Sequence, residues 1–275
     1  MAKAIMLQGT ASGVGKTVLT LALCRIFQQD GLLVTPFKAQ NMTSYTCQTK
    51  QGDEIAVSQW IQAQAAKTEP IKDMNPIVLK PPFSRALPRD KETKLEVIMG
   101  AYSRLKEKYD VIVIEGAGSP VELNLNKDDL INMGMAKRAK APVLLISDIS
   151  RGGVFASLYG TASLVDESEK KLLKGTIVNR FKGDISCFAD GVKILGDITK
   201  LPVIGVIPFT EIRLPEEDSL SAEEAGPLAR EQNFFENGEF TGHAELESQI
   251  DRIAESVRKH LNMELVYDIL NKGVE

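Results

Sequence analysis

Histidine is nearly missing from this 275-residue chain: it has two, His243 and His260, both close to its end. Cysteine is scarce as well, and Cys24, Cys47 and Cys187 share no metal-type spacing. A Cys/His zinc centre, a Cys-His catalytic pair and a disulfide framework are therefore not expected. Basic charge is not in excess either, since 33 Lys and Arg face 37 Asp and Glu for a net charge of −4, which leaves no electrostatic footprint for nucleic acid. No run approaches the roughly 18 continuous apolar residues of a membrane span. The opening MAKAIMLQGT carries one lysine and a short apolar run that passes straight into glycine, so it reads as a first strand and not as a signal peptide. The expected compartment is the cytoplasm, with neither nucleic acid nor membrane as partner.

What is present is a regular alternation. Short apolar, β-branched runs recur at 4–9, 32–38, 76–81, 110–118, 141–149, 175–181 and 202–209. Stretches with helical spacing lie between them at 16–29, 54–67, 92–108, 129–140, 154–172 and 187–200, and another follows at 244–261. Runs that do not alternate suit strands buried on both faces, and intervening helices imply right-handed crossovers. The expected fold is a three-layer α/β domain with a mostly parallel sheet of about seven strands. The whole of 1–275 reads as one domain, with a surface loop near 81–94 and an irregular acidic connection over 211–243. A C-terminal helical segment, 244–270, should pack back through the stripe Leu246, Ile250, Ile253, Val257 and Leu261.

The stretch GTASGVGKT, 9–17, nearly spells a nucleotide-binding loop, except that Thr10 stands where the usual pattern has its first glycine. Placed between strand and helix, it offers free backbone N–H groups to phosphate, a lysine for the β/γ-phosphates and the Thr17 hydroxyl for Mg²⁺. The expected nucleotide site is Thr10, Ser12, Gly13, Val14, Gly15, Lys16, Thr17 and Val18.

Three further strand ends carry polar groups where open parallel sheets bind ligands. PFKAQNM, 36–42, supplies Lys38 for a phosphoryl group or carboxylate, and Gln40 and Asn41 for a polar substrate. VIEGAGSPVELNL, 113–125, places Glu115 at a strand tip before Gly-Ala-Gly, where a metal-binding acid belongs; Mg²⁺ shared with Thr17 is its expected partner. Asn124 in that stretch is a candidate substrate contact. Glu54 either completes the metal shell, with Asp53 as a substitute, or complements a helix dipole. Asp148 and Arg151 lie in SDISRGGVFASLYG, Arg151 being suited to a carboxylate or phosphate, and Asn179 in IVNRF is placed to read an adenine edge. Lys16, Lys38 and Glu115 are the expected catalytic groups.

The Gly-Thr form of the loop resembles that of dethiobiotin synthetase and its relatives. Partitioning and nitrogenase iron-protein ATPases carry a second lysine where this chain has Ala11. Taken in order, AIMLQGTASGVGKT, PFKAQNM, MNPIVLKP, VIEGAGSPVELNL, NMGMAKRAKAPVLLISDISRGGVFASLYGT, GTIVNRFKGD and PEEDSL resemble the ATP-dependent amide-forming domain of the cobyric acid synthase family, from residue 1 to about 220. The resemblance implies a dethiobiotin synthetase-like fold and use of ATP and Mg²⁺ to phosphorylate peripheral carboxylates of a corrinoid or related tetrapyrrole. Ammonia then displaces phosphate. It also implies that Glu54 and Glu115 are metal acids and Asn179 the adenine contact. The family's glutaminase domain has no counterpart here, so ammonia is expected from solution or from a separate glutaminase. Relatives with this fold often pair, and a homodimer is the expected state. Two other readings stay open: a nucleotide-dependent partner-binding ATPase of the same fold, and dethiobiotin synthetase itself.

Overall fold

The computed structural model describes residues 2–80, 90–124, 129–211, 235–236, 239–240 and 243–274. The first strand, β1 (Lys3–Gly9), ends in the glycine loop that opens α1 (Lys16–Gln29), and the chain returns through β2 (Val34–Phe37). Three short strands follow, β3 (Gln40–Met42), β4 (Thr46–Gln48) and β5 (Glu54–Ala56), then α2 (Val57–Ala65) and β6 (Ile77–Leu79). Next come α3 (Lys91–Lys108), β7 (Val111–Glu115), α4 (Met133–Ala139), β8 (Val143–Asp148), α5 (Val154–Leu164) and α6 (Glu167–Lys170). The chain continues with β9 (Leu173–Phe181), α7 (Ala189–Thr199), β10 (Val203–Pro208), α8 (His243–His260) and α9 (Met263–Lys272).

Six strands form one parallel sheet in the order β10-β9-β8-β1-β7-β2. Helices α1, α2, α8 and α9 cover one face through Leu19, Leu23, Phe27, Ile61, Ile250 and Val266. Helices α3, α4, α5 and α7 cover the other through Ile98, Leu105, Met135, Leu158 and Leu195. This is a three-layer α/β arrangement, and its strands are the non-alternating apolar runs that burial on both faces requires.

The structure departs from the sequence reading in four places. The run at 76–81 contributes β6, which pairs with β3 outside the main sheet, so among the described residues the sheet has six strands and not seven. The helical spacing read from 54 starts at 57 instead, because Gly52 (φ 84°) turns β4 back onto β5. Helix 154–172 breaks at Val165, and Asp166 caps a new short turn. The C-terminal segment also breaks: Leu261 bridges to Gly205, and the Asn262 side chain accepts from Leu265 N to start α9. The stripe on α8 is buried as its spacing implies. The loop near 81–89, most of the 211–243 connection and the PEEDSL motif lie outside the described residues.

Helix α8 is fastened by a buried charge. Arg25 on α1, 1% exposed, donates to both carboxylate oxygens of Glu247 at 3.0 and 2.9 Å and lies 3.3 Å from Asp251. Removing both acids strands a guanidinium inside the protein, whereas Arg25→Met removes the charge and keeps the volume. Breaking a fully buried pair costs roughly 3–5 kcal/mol, and the half-exposed acids here lower that to about 2 kcal/mol. Urea unfolding of Glu247→Ala/Asp251→Ala should therefore show a larger loss than Arg25→Met; the reverse order contradicts this account of the latch.

Candidate functional site

The carboxyl ends of β1, β7 and β2 converge on one cluster. Glu115, the last residue of β7 and 1% exposed, is its centre. Lys38 Nζ donates to Glu115 Oε1 at 2.8 Å, Thr17 Oγ1 donates to the same oxygen at 3.0 Å, and Gln62 Nε2 donates to Oε2 at 2.6 Å. Burial alone raises the pKa of this carboxyl, but the Lys38 charge, the hydrogen bonds from Lys38 and Gln62, and the Lys16 charge together hold it below the usual carboxylate value of 4.5. The same burial and the nearby Glu115 charge push the Cys24 thiol up, which leaves Cys24 as core.

The sign of the pH effect follows. A depressed folded-state pKa means that the unfolded chain binds the Glu115 proton first as pH falls. Its contribution to stability is complete above pH 4.5 and is lost below it. Between pH 5 and 7 unfolding titrations should show no Glu115-dependent change, and Glu115→Gln should flatten the stability curve only below pH 4.5. A Glu115-dependent step between pH 5 and 7 contradicts an ionised centre.

The glycine loop between β1 and α1 is held by its own lysine. Lys16 Nζ donates to the carbonyls of Ala11 at 2.9 Å and Gly118 at 3.0 Å, bridging the glycine loop and the loop that follows β7. Gly15, with φ 99°, caps α1 from a conformation that disfavours any side chain. The Thr10 departure has a physical reason. Its φ is not positive, and its hydroxyl donates to Ser147 Oγ at 3.0 Å, tying the loop to β8. The crowded position is Gly9, one residue earlier, where a Cβ would come 2.5 Å from Val14 Cγ2 and 2.9 Å from Lys16 Nζ. Ser12 and Gly13 form the exposed crest, Val14 is buried beneath it, and Val18 packs on the α1 face of the core. Asn179 Nδ2, at the tip of β9, donates to Val14 O at 2.8 Å.

Other expected site residues are placed differently. Glu54 sits on the β4-β5 hairpin, apart from the main sheet, and its carboxylate accepts from Thr46 Oγ1 at 2.8 Å and pairs with Lys80. That pairing with Lys80, opposed by burial and aided by Thr46, holds its pKa down. Among the described residues no three His, Cys, Asp or Glu side chains converge as a metal set, and the partners of Glu54 are Thr46 and Lys80. Asn41 is buried, and its amide donates to Ser58 Oγ and Gln59 Oε1 at 3.1 and 3.0 Å, which commits it to joining β3 to α2. Gln40 is half-buried, and Asn124 and Arg151 are exposed. Asp148 pairs with Arg180 at 2.9 Å.

Several positioning groups escaped the sequence reading. Gln62, in SQWIQAQ, is a fully buried polar residue on a helix; with Ser58 and Gln59 it forms a polar stripe that the spacing of 58, 59 and 62 could have revealed. Asn132 pins the Gly-Ala-Gly loop, accepting from Ala117 N at 2.9 Å and donating to Ala117 O at 2.8 Å. Asn75 donates to Lys38 O at 2.8 Å and so fixes the backbone beneath that lysine.

A cavity of 1130 Å³ opens at the opposite end of the sheet, lined by Lys3, Asp30, Tyr109, Tyr267 and Asn271. It lies at the amino ends of β1 and β7, whereas ligands of open parallel sheets bind at the carboxyl ends, and the chemistry described above is gathered there.

Comparison with known proteins places this geometry in a family. Residues 3–216 match the AAA domain family. The cobyric acid synthase of Ruminiclostridium cellulolyticum is 48% identical over 247 residues, covering 83% of this chain and 48% of that protein. That of Streptococcus sanguinis is 46% identical over 238 residues, covering 80% and 48%. The solved structure of chloroplast FtsY from Physcomitrella patens, at 19% identity, aligns with a TM-score of 0.49 over 77% of this chain and 60% of its own. The chain spans about half the length of the curated relatives it matches. With nearly half its residues shared across four-fifths of its length, the chain belongs to the cobyric acid synthase family.

Proposed function

We propose that this chain is an ATP- and Mg²⁺-dependent carbon–nitrogen ligase that amidates peripheral carboxylates of a corrinoid in cobalamin biosynthesis. The observation that carries the reading is the convergence of Lys16, Thr17, Lys38 and Glu115 at the junction of β1 and α1. The substrate carboxylate attacks the γ-phosphorus of ATP and ADP leaves, giving an acyl phosphate. Ammonia then adds to the acyl carbon, the carbon–oxygen bond to phosphate breaks, and the nitrogen loses a proton to give the amide. Such a reaction needs charge neutralisation and in-line positioning more than a protein nucleophile.

Lys16 moves from its two loop carbonyls to the β/γ-phosphates, and Lys38 meets the phosphoryl group as it passes to the carboxylate. The Thr17 hydroxyl and the Glu115 carboxylate are hard oxygen donors on a shared centre, the donor type that Mg²⁺ takes from a protein while phosphates and water complete its shell. When bound, the ion neutralises phosphate charge. Gln62 and Lys38 keep the Glu115 carboxylate ionised and oriented for it. Gln40, Asn124 and Arg151 face the substrate side, and Asn179 meets the adenine. Ammonia comes from solution or from a glutaminase outside these 275 residues. The protein acts in the cytoplasm as a homodimer.

Among the described residues no helix is long and apolar enough to cross a membrane, so no part of the assay calls for lipid. Phosphate release from ATP should rise only when cobyrinic acid diamide and an ammonium salt are both supplied, with amide product in step. Hydrolysis indifferent to both, or an absence of corrinoid binding, rules the ligase reading out.

A further inference from the structure

The end of β9 is irregular in a way that bears on Asn179. Val178 pairs with Val206 of β10, and Phe181 pairs with Pro208, so Asn179 and Arg180 together stand opposite the single residue Ile207. This is a β-bulge, the device that re-aims a side chain at the end of a strand. Its effect on facing is visible: Val178 belongs to the α3 face of the core, and so does Phe181, which packs on Phe188 with ring centroids 5.5 Å apart. Two residues on one face three positions apart require one extra residue between them, because strand side chains alternate. Arg180 takes up that extra position with φ 59°, a left-handed conformation that is unfavourable for a residue with a Cβ.

The strain is held by neighbours on both sides. Arg180 Nη1 donates to Asp148 Oδ2 at 2.9 Å, and the other Asp148 oxygen accepts from Ser150 N at 2.7 Å. Asp148 is in register with Asn179 across β8 and β9, and Ile149 N donates to Asn179 O at 3.0 Å. With its backbone gripped in this way, Asn179 reaches Val14 O in the phosphate loop, and its amide occupies the space into which a Gly15 side chain would grow. We propose that Arg180 and Asp148 form a positioning pair that fixes the bulge and thereby aims the Asn179 amide at the base-binding side of the phosphate loop. Their role rests on the nucleotide reading given above and adds to it a determinant of base recognition separate from phosphate recognition.

The test compares two probes, ATP and inorganic tripolyphosphate, by calorimetric titration of the wild type, Arg180→Ala, Asp148→Asn and Arg180→Lys. Asp148→Asn keeps an acceptor for Ser150 N, so it perturbs the pair with the least change in fold, and thermal unfolding of each variant reports on the scaffold. Arg180→Ala and Asp148→Asn should each weaken ATP by roughly tenfold, the value of one charge-assisted hydrogen bond, while tripolyphosphate binding stays within about twofold. The double variant should lose no more than either single one, and Arg180→Lys should recover most of the ATP affinity. Equal loss for both probes shows a general structural role and overturns the proposal, as does unchanged ATP affinity in both variants. A wild type that binds ATP no better than tripolyphosphate overturns base recognition alone. A wild type that binds neither overturns the nucleotide reading itself.

Discussion

Lys16→Ala should abolish ATP turnover, with kcat/KM falling by roughly two to three orders of magnitude or more, the range seen when a preorganised charge that meets the transition state is removed. The reason is local. Lys16 is the one loop side chain whose charged end already lies inside the ring of loop atoms, bonded to Ala11 O and Gly118 O, with Gly9 left bare beneath it. Alanine leaves those carbonyls facing incoming phosphate without a cation, so affinity should fall together with turnover. Lys16→Arg should not rescue, because a planar guanidinium does not reproduce the compact ammonium that Lys16 places between the Ala11 and Gly118 carbonyls. Wild-type ATP affinity in Lys16→Ala, measured by titration calorimetry, refutes the assignment of the loop.

Glu115→Gln is the second large effect and should separate binding from chemistry. The substitution keeps the shape and one acceptor for Thr17, but it removes the charge that Lys38 faces at 2.8 Å and the donor suited to a divalent ion. Turnover should drop by about a hundredfold while nucleotide affinity in the absence of Mg²⁺ stays within roughly tenfold, since the phosphate contacts come from the loop and Lys16. The Mg²⁺ concentration for half-maximal rate should rise. An unchanged Mg²⁺ dependence moves the metal ligand elsewhere. Loss of affinity equal to the loss of rate means that Glu115 supports the loop and not the reaction.

How much of this was legible beforehand differs from element to element. The layers were readable because strands buried on both faces leave unbroken apolar runs such as VIVIE and VLLIS, which little else produces. Glu115 was readable as the polar residue ending such a run, and Lys16 and Thr17 from their place at a helix start. The small strands were not, since β3, β4 and β5 are three residues each and their pairing depends on Gly52 and on contacts with β6 and α2 that carry no local signature. The helix start expected at Glu54 was misplaced for the same reason: Glu54 opens β5 of a hairpin and the helix begins at Val57. Gln62, Asn75 and Asn132 were passed over because a buried amide is recognised by the group it bonds, and those groups lie 53, 37 and 15 residues away in the chain. The bulge at Asn179 is also a property of two strands together, invisible in IVNRF alone.

The central claim is that the turn from β1 into α1 grips a triphosphate while Thr17 and Glu115 hold its divalent ion. The most direct measurement is a crystal structure with a non-hydrolysable ATP analogue and Mg²⁺. The account predicts the β- and γ-phosphates on Lys16 and the loop N–H groups, with the ion touching Thr17 and Glu115 and Lys38 released from its carboxylate. An analogue bound elsewhere, with Lys16 still on Ala11 O and Gly118 O, contradicts it.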